Sequence, residues 1–320
     1  MKYRYLTPLL AIAGTLIASG CGSTGGAASK DLRVDYAYYN PLSLVVRDQR
    51  LLENRGYHLT WVLSSGSNKA NEGLRSKALD VGSTAGSAAL VARANGSPIK
   101  TIDLYAGGEW TALLVAKTSS INSVTDLKGK KVAVTKGTDP YFFLLQSLSI
   151  AGLAPSDIEI INLQHADGKT ALERGDVDAW SGLDPFIAQT IQQSGSRFIY
   201  RNPSFNTYGF LNAREDFIAQ NPEAVQAVVD SYEEARKWAK THPDALAALL
   251  ASQANIALSV AQEELTRTLV DIDPVPGAPQ REVLTRVEPL AVADSDVKSD
   301  AAGRSALSTL IEPKYIQQAH

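Results

Sequence analysis

The chain has 320 residues, 44% hydrophobic and 20% charged, with a formal net charge of −3. That composition suits one large globular domain or two of ordinary size with a real apolar core. The acidic balance argues against nucleic acid as a partner, and one cysteine excludes an internal disulfide.

Residues 1–20 have the three parts of a secretory leader. Lys2 and Arg4 are positive, Leu6 to Ile17 is mostly apolar, and Ala18-Ser19-Gly20 supplies small residues before a cut. Cys21 follows directly, so the segment resembles a lipobox, with Ala18 in place of the commoner leucine. A diacylglycerol on Cys21 would hold the protein at a membrane surface outside the cytoplasm; a plain leader with an incidental cysteine is the alternative. Residues 21–30, with GSTGGAASK after the cysteine, read as a lipidated flexible tether. No later run is long and apolar enough to span a bilayer.

From Asp31 onward strand and helix patterns alternate. The strands expected first are Leu32–Tyr38, His58–Leu63 and Leu79–Gly82, with helices after Asn40-Pro41 and over Ser67–Ala78 and Ala85–Asn95. Ile99–Ala106 and Ala112–Lys117 are strand-like, with Gly107-Gly108-Glu109-Trp110-Thr111 between them. A second series follows: strands Lys131–Val134, Asp157–Leu163 and Val177–Trp180, helices Asp139–Ala151, Lys169–Arg174 and Pro185–Ser194. Arg197–Tyr200 and Tyr208–Asn212 are again strand-like. Beyond Glu215 the pattern is helical, with amphipathic runs at 222–240, 243–253 and 259–270. Repeated β–loop–α units predict an α/β fold with parallel sheets covered by helices.

The two series share a unit. LRSKALDVGS (74–83) and LERGDVDAWS (172–181) place Leu74 with Leu172, Leu79 with Val177, Asp80 with Asp178 and Ser83 with Ser181, at a constant spacing of 98. This predicts two lobes of the same build.

Ligands of open α/β sheets bind at the carboxyl ends of the strands, where helix N-termini converge. The loops there are Tyr39-Asn40-Pro41, Ser64 to Asn68, Ser83 to Gly86, Thr135 to Pro140 and Ser181 to Pro185. Free N–H groups, hydroxyls and positive helix ends suit anions. Each loop alone also reads as ordinary helix capping; five of them split between two similar lobes favour a shared anion cleft.

Four stretches carry a resemblance: SKALDVGSTAG (76–86), SSINSVTDLKGKKVAVTKGTDP (119–140), LERGDVDAWSGLDPF (172–186) and NARED (212–216). Together they resemble the periplasmic solute-binding proteins of ABC transporters for aliphatic sulfonates, the group that includes taurine- and nitrate-type binders. The resemblance implies a two-lobe periplasmic binding protein fold (type II), each lobe a parallel-type sheet flanked by helices, joined by two crossing strands near Ala106–Thr111 and Thr207–Leu211. Residues 31–106 would open lobe 1, 107–207 form lobe 2, and 208–320 return to lobe 1 with the C-terminal helices.

The resemblance further implies a small organic anion, an aliphatic sulfonate, held between the lobes of a monomer. The closed form would dock on an ABC permease driven by a separate ATPase, as this chain has no GxxxxGK[ST] run. No cofactor, metal or catalytic residue is implied. Asn40, Ser67, Asn68, Ser83, Thr84, Gly137 and Thr138 are the expected head-group contacts, with Thr111 and Asp139 beside them. Trp110 and Trp180 would either wall the organic part or pack in the core, with Tyr39 a further wall. Asp184 would either face the cleft, favouring a zwitterion such as taurine, or cap a helix. Lys69 and Lys136 flank these loops and rank below the polar residues. Alternatives are a catalytic or sensory relative of the same fold, or a binder of taurine, a sulfate ester, nitrate or a pyrimidine precursor. The four histidines form no catalytic motif; His165 alone falls in a loop near the cleft.

Overall fold

The computed structural model describes Met1 and residues 30–319. The expected leader, the Cys21 anchor and the tether up to residue 29 lie outside the described residues. The first series is β1 (Asp31–Tyr36), α1 (Pro41–Asp48), β2 (His58–Leu63), α2 (Ser67–Arg75), β3 (Val81–Ala85), α3 (Gly86–Ala94) and β4 (Ile99–Gly108). The second is β5 (Thr111–Val115), β6 (Lys131–Val134), α4 (Asp139–Ile150), β7 (Glu159–Asn162), α5 (His165–Arg174), β8 (Ala179–Leu183), α6 (Phe186–Ser194) and β9 (Arg197–Tyr200). The chain then runs through β10 (Gly209–Arg214), α7 (Glu215–Gln220), α8 (Pro222–Thr241), α9 (Pro243–Ala254), α10 (Leu258–Leu265), β11 (Thr268–Leu269), α11 (Ala278–Ala293), α12 (Asp300–Thr309) and α13 (Lys314–Ala319).

Two sheets result. One has the order β11-β4-β10-β3-β1-β2, the other β7-β6-β8-β5-β9. In each, three parallel strands lie beside one antiparallel strand, β10 or β5, that enters directly from a crossing. The sheets are therefore mixed rather than parallel throughout, because each crossing strand returns against its neighbours. The chain leaves the first sheet after Gly108, joins the second at Thr111, leaves it after Tyr200 and rejoins the first at Gly209.

The repeat read from the sequence has a structural counterpart. The backbone N–H of Arg33 donates to Asp80 Oδ2 at 2.9 Å, and that of Lys131, 98 residues on, donates to Asp178 Oδ2 at 2.8 Å. One carboxylate in each lobe thus pins the start of its central strand to the turn before its third strand. Asn40 and Thr138, also 98 apart, occupy the N-cap positions of α1 and α4, each followed by a proline in the first turn.

Apolar side chains fill both faces of each sheet. Val34, Val81, Ile102 and Leu211 pack with Val228 and Tyr232 of α8. Ala112, Leu114, Ala133 and Trp180 pack with Leu172 and Ile187. Helix α11 packs on α3 of one lobe and α4 of the other, so the largest apolar cluster crosses between lobes. Several expected boundaries move: the strands expected at Leu79–Gly82 and Val177–Trp180 run over Val81–Ala85 and Ala179–Leu183. The helical run 259–270 stops at Leu265, because Thr268 and Leu269 pair with Gly108 and Gly107 as an edge strand. The helix expected from Lys169 begins at His165, one turn earlier. Among the described residues no helix is long and apolar enough to cross a membrane.

Candidate functional site

Two adjoining cavities lie where the lobes meet. The inner one, about 20 Å³, is lined by Tyr39, Ser67, Ala85, Tyr105 and Trp110 from one side and by Thr138, Asp139, Pro140 and Leu183 from the other. It admits about one water-sized group. The outer one, about 100 Å³, shares Tyr39 and Leu183 and adds Ser64, Gln164, His165, Asp184 and Phe186 among others. The N-termini of α2 and α4 thus approach the inner cavity from opposite lobes. The first N–H groups of a helix have no intrahelical acceptor and carry a positive partial charge, so both ends offer donors to the same small space.

Side chains sharpen that offer. Ser67 Oγ accepts from Ala85 N–H at 2.9 Å, which fixes the hydroxyl at the cavity wall with its hydrogen still to place. Thr138 donates its hydroxyl to the carbonyl of Thr135 at 2.6 Å, so this residue presents its backbone rather than its side chain. Gly137 before it has φ +75°, in the left-handed region that glycine alone enters without strain. Asn68 reaches across from α2: its Cβ stands 3.7 Å from where a side chain on Gly137 would begin.

Asp139 is buried at the junction and accepts four hydrogen bonds. Ser87 Oγ donates to Oδ1 at 2.7 Å and Thr207 Oγ1 at 2.6 Å; Trp110 Nε1 donates to Oδ2 at 2.9 Å and Thr207 N–H at 3.1 Å. Trp110 and Thr207 sit on the two crossings and Ser87 on α3 of lobe 1, so one carboxylate of lobe 2 gathers both crossings and the facing lobe. Burial raises its pKa above the ordinary carboxylate value, and its donors oppose that rise.

Asp184 faces the outer cavity but is already neutralised. Arg267 Nε and Nη2 donate to its two oxygens at 2.7 and 2.9 Å, and Ala188 N–H donates to Oδ1 at 3.0 Å. It therefore caps the first turn of α6 and binds a guanidinium. Its partner is 83 residues away in sequence, and nothing local in the chain points to it.

Several expected contacts are committed elsewhere, and none of them lines either cavity. Asn40 accepts from Ser43 N–H and donates to the hydroxyl of Tyr232, as a buried helix cap. Ser83 gives both its N–H and its hydroxyl to Asp35. Thr84 donates to the carbonyl of Ala85 and accepts from Asn212 Nδ2. Thr111 donates its hydroxyl to Gly182 O, tying the first crossing to β8. Trp180 lies in the core of lobe 2, its indole against Gly168 and Gly182. Lys69 pairs with Glu72, and Lys136 stacks over Tyr141. The remaining expected contacts, Tyr39, Ser67, Asn68, Trp110, Gly137, Thr138, Asp139 and Asp184, converge at the lobe junction. Ala85, Leu183 and His165, which belong to loops expected near the cleft but were not named as contacts, join them, as does Tyr105, which the sequence reading missed.

Beneath Ser83, Asp35 is fully buried. Burial pushes its pKa up to about 7, while the donors on Ser83 and Ser64 hold it down. Among the described residues no cluster of His, Cys, Asp and Glu could hold a metal.

Two α/β lobes joined by two crossings, with helix starts facing across the gap, define the periplasmic binding protein class of fold. The chain belongs to the NMT1/THI5-like family, whose model matches residues 52–246. A protein of Escherichia coli (strain K12) named as an aliphatic sulfonates-binding protein is 31% identical over 250 residues, 76% of this chain and 77% of its own. The periplasmic aliphatic sulphonate binding protein SsuA from Escherichia coli superimposes with a TM-score of 0.75 at 27% identity, covering 89% of this chain and 92% of that one. The alkanesulfonate-binding protein SsuA from Xanthomonas axonopodis pv. citri, solved bound to MOPS, shares the fold at TM-score 0.80 and 22% identity, covering 90% of this chain and all of that one.

Proposed function

We propose that this protein captures a small organic anion, an aliphatic sulfonate, between its lobes outside the cytoplasm and delivers it to an ABC importer. The observation that carries the reading is the inner cavity set between the starts of α2 and α4. A sulfonate is ionised at every physiological pH and presents three acceptor oxygens. Backbone N–H groups of two helix ends and the Ser67 hydroxyl satisfy such a group without a formal cation. Trp110, Tyr39 and Leu183 wall the organic part, and the outer cavity gives it room. The relatives named as sulfonate-binding proteins support the same ligand class.

In this reading the two crossings act as a hinge: the cleft opens to admit ligand and closes over it. The closed monomer then meets a permease powered by its own ATPase. A lipid on Cys21 keeps the protein at the membrane, and residues 22–30 let the lobes reach the permease. A thermal-shift series with short alkanesulfonates, taurine, a sulfate ester, sulfate and nitrate tests the ligand. Sulfonates raise the melting point with concentration, because they bind only the folded state; a rise with nitrate or sulfate alone overturns the assignment. Replacing Cys21 by Ser moves the protein from the membrane to the soluble fraction if the anchor is real.

A further inference from the structure

At the lobe junction His165 offers chemistry that a simple alkanesulfonate does not use. His165 begins α5, is 1% exposed and lines the outer cavity. Its Nδ1 lies 3.1 Å from Thr135 Oγ1. Thr135 has a single hydroxyl hydrogen, and that hydrogen goes to the carbonyl of Leu163 at 2.7 Å. At the longer contact Thr135 must accept, so Nδ1 carries the imidazole proton. Nε2 is therefore a bare lone pair. It is buried and has no hydrogen-bond partner. It stands on the lobe-2 side of the gap, 3.1 Å from where a side chain on Gly66 would begin, and Asn68 Oδ1, also buried and unpartnered, stands 2.8 Å from the same point.

A buried acceptor without a donor costs about 1–3 kcal/mol and needs an explanation. Burial also holds His165 neutral, its pKa lowered to about 3, so the ring offers a lone pair and no charge. Asp184, the carboxylate among the residues lining the outer cavity, is occupied by Arg267. A neutral acceptor thus stands at the edge of the outer cavity, and the carboxylate lining that cavity is already compensated, which leaves no free negative charge for a cation.

Resting on the sulfonate reading above, we propose that the ligand is a hydroxyalkanesulfonate: its sulfonate meets the starts of α2 and α4, and its hydroxyl donates to His165 Nε2. His165 is then the residue that separates hydroxylated from plain alkanesulfonates.

The test compares ethanesulfonate, 2-hydroxyethanesulfonate and 2-aminoethanesulfonate by titration calorimetry on the wild-type protein, His165→Phe and His165→Gln. The hydroxyl compound binds the wild-type protein about tenfold or more tighter than ethanesulfonate, the worth of one buried hydrogen bond. His165→Phe brings the affinities for the two compounds together; His165→Gln, which keeps an acceptor oxygen, retains part of the difference. Equal binding of the first two compounds, survival of the preference in His165→Phe, or tighter binding of the amino compound overturns the proposal and leaves the sulfonate reading standing. Failure of all three to bind overturns both. If His165→Phe does not fold, the wild-type protein decides: on ¹⁵N NMR the unprotonated Nε2 resonance moves upfield with 2-hydroxyethanesulfonate and not with ethanesulfonate, and an unmoved resonance overturns the proposal.

Discussion

Ser87 and Asp139 join the two lobes through a single hydrogen bond of 2.7 Å, hydroxyl to carboxylate, between the first turns of α3 and α4. The same carboxylate holds Trp110 and Thr207, one from each crossing. A group that ties the facing lobe and both hinge segments sets how firmly the closed form is held. Asp139→Ala leaves three buried side-chain donors and one backbone N–H without their acceptor. The expected loss is about 2–4 kcal/mol of unfolding free energy, measured by urea denaturation. Ligand affinity falls as well, because the closed form loses its tie. A variant as stable as the wild-type protein, with unchanged affinity, would remove the hinge role of this residue.

Arg267 and Asp184 make a second, more costly tie. Both are nearly inaccessible, at 7% and 1% side-chain exposure, and Glu264, buried beside them, has both carboxylate oxygens unpartnered. Arg267→Gln strands a buried negative charge and costs about 3–5 kcal/mol. Because most of that cost is the unpaired partner, Asp184→Asn combined with Arg267→Gln recovers a large part of it. Chemical denaturation of the two singles and the double tests this: strictly additive losses would mean that the pair is not coupled.

Asp35 predicts a pH dependence whose sign follows from its raised pKa, about 7 in the folded protein against an ordinary 3.8. Below about pH 4 the group is protonated in both states and the folded state carries no penalty. Between about 4 and 7 the unfolded chain releases the proton while the folded chain keeps it, so stability falls as pH rises. Above 7 the difference is constant. The shift corresponds to a loss on the order of 4 kcal/mol across that window. Asp35→Asn lacks this slope, so the stability of the wild-type protein relative to the variant declines from pH 4 to 7 and then levels. A difference that stays flat over that range would place the ionisation elsewhere.

The alternation of strand and helix, and the 98-residue repeat that both lobes express, were legible because buried parallel strands and amphipathic helices leave periodic marks. The side-chain commitments were not. Asn40 and Thr138 occupy equivalent cap positions, yet only Thr138 lines a cavity, since Asn40 finds Tyr232 of α8 beneath it. Trp110 and Trp180 could not be told apart either: every residue of β8 is buried, so no alternation reveals which face a side chain takes. From the sequence, α5 is expected to start at Lys169, just after Gly168. In the structure that glycine is the contact that lets the Trp180 indole lie on the helix, with Nε1 2.6 Å from where a Cβ would stand. That misreading left His165 in a loop, when it is the first residue of α5. Partners far apart in sequence, such as Arg267 with Asp184, leave no local trace.

Two glycines separate hinge packing from ligand recognition. A Cβ on Gly86 would stand 2.4 Å from the backbone carbonyl oxygen of Thr207 and 3.0 Å from the ring of Phe210. The carbonyl belongs to the second crossing and accepts no such approach without a backbone shift, so Gly86→Ala costs about 2–4 kcal/mol by overpacking. A Cβ on Gly66 would instead meet the ends of two side chains, Asn68 Oδ1 at 2.8 Å and His165 Nε2 at 3.1 Å. The backbone at Gly66 is extended, with φ 168°, so alanine introduces crowding without backbone strain. Asn68 and His165 can shift by a few tenths of an ångström, and the expected stability loss is below about 1 kcal/mol. The added methyl nonetheless fills the space between the two unpartnered acceptors. Gly66→Ala therefore lowers the affinity for 2-hydroxyethanesulfonate by about tenfold, the worth of the lost hydroxyl contact, with the melting point of the free protein nearly unchanged, whereas Gly86→Ala lowers the melting point first. Calorimetry and thermal denaturation on both variants distinguish them; a Gly66→Ala protein that binds 2-hydroxyethanesulfonate as tightly as the wild type would move the ligand's hydroxyl away from the α2–α5 junction.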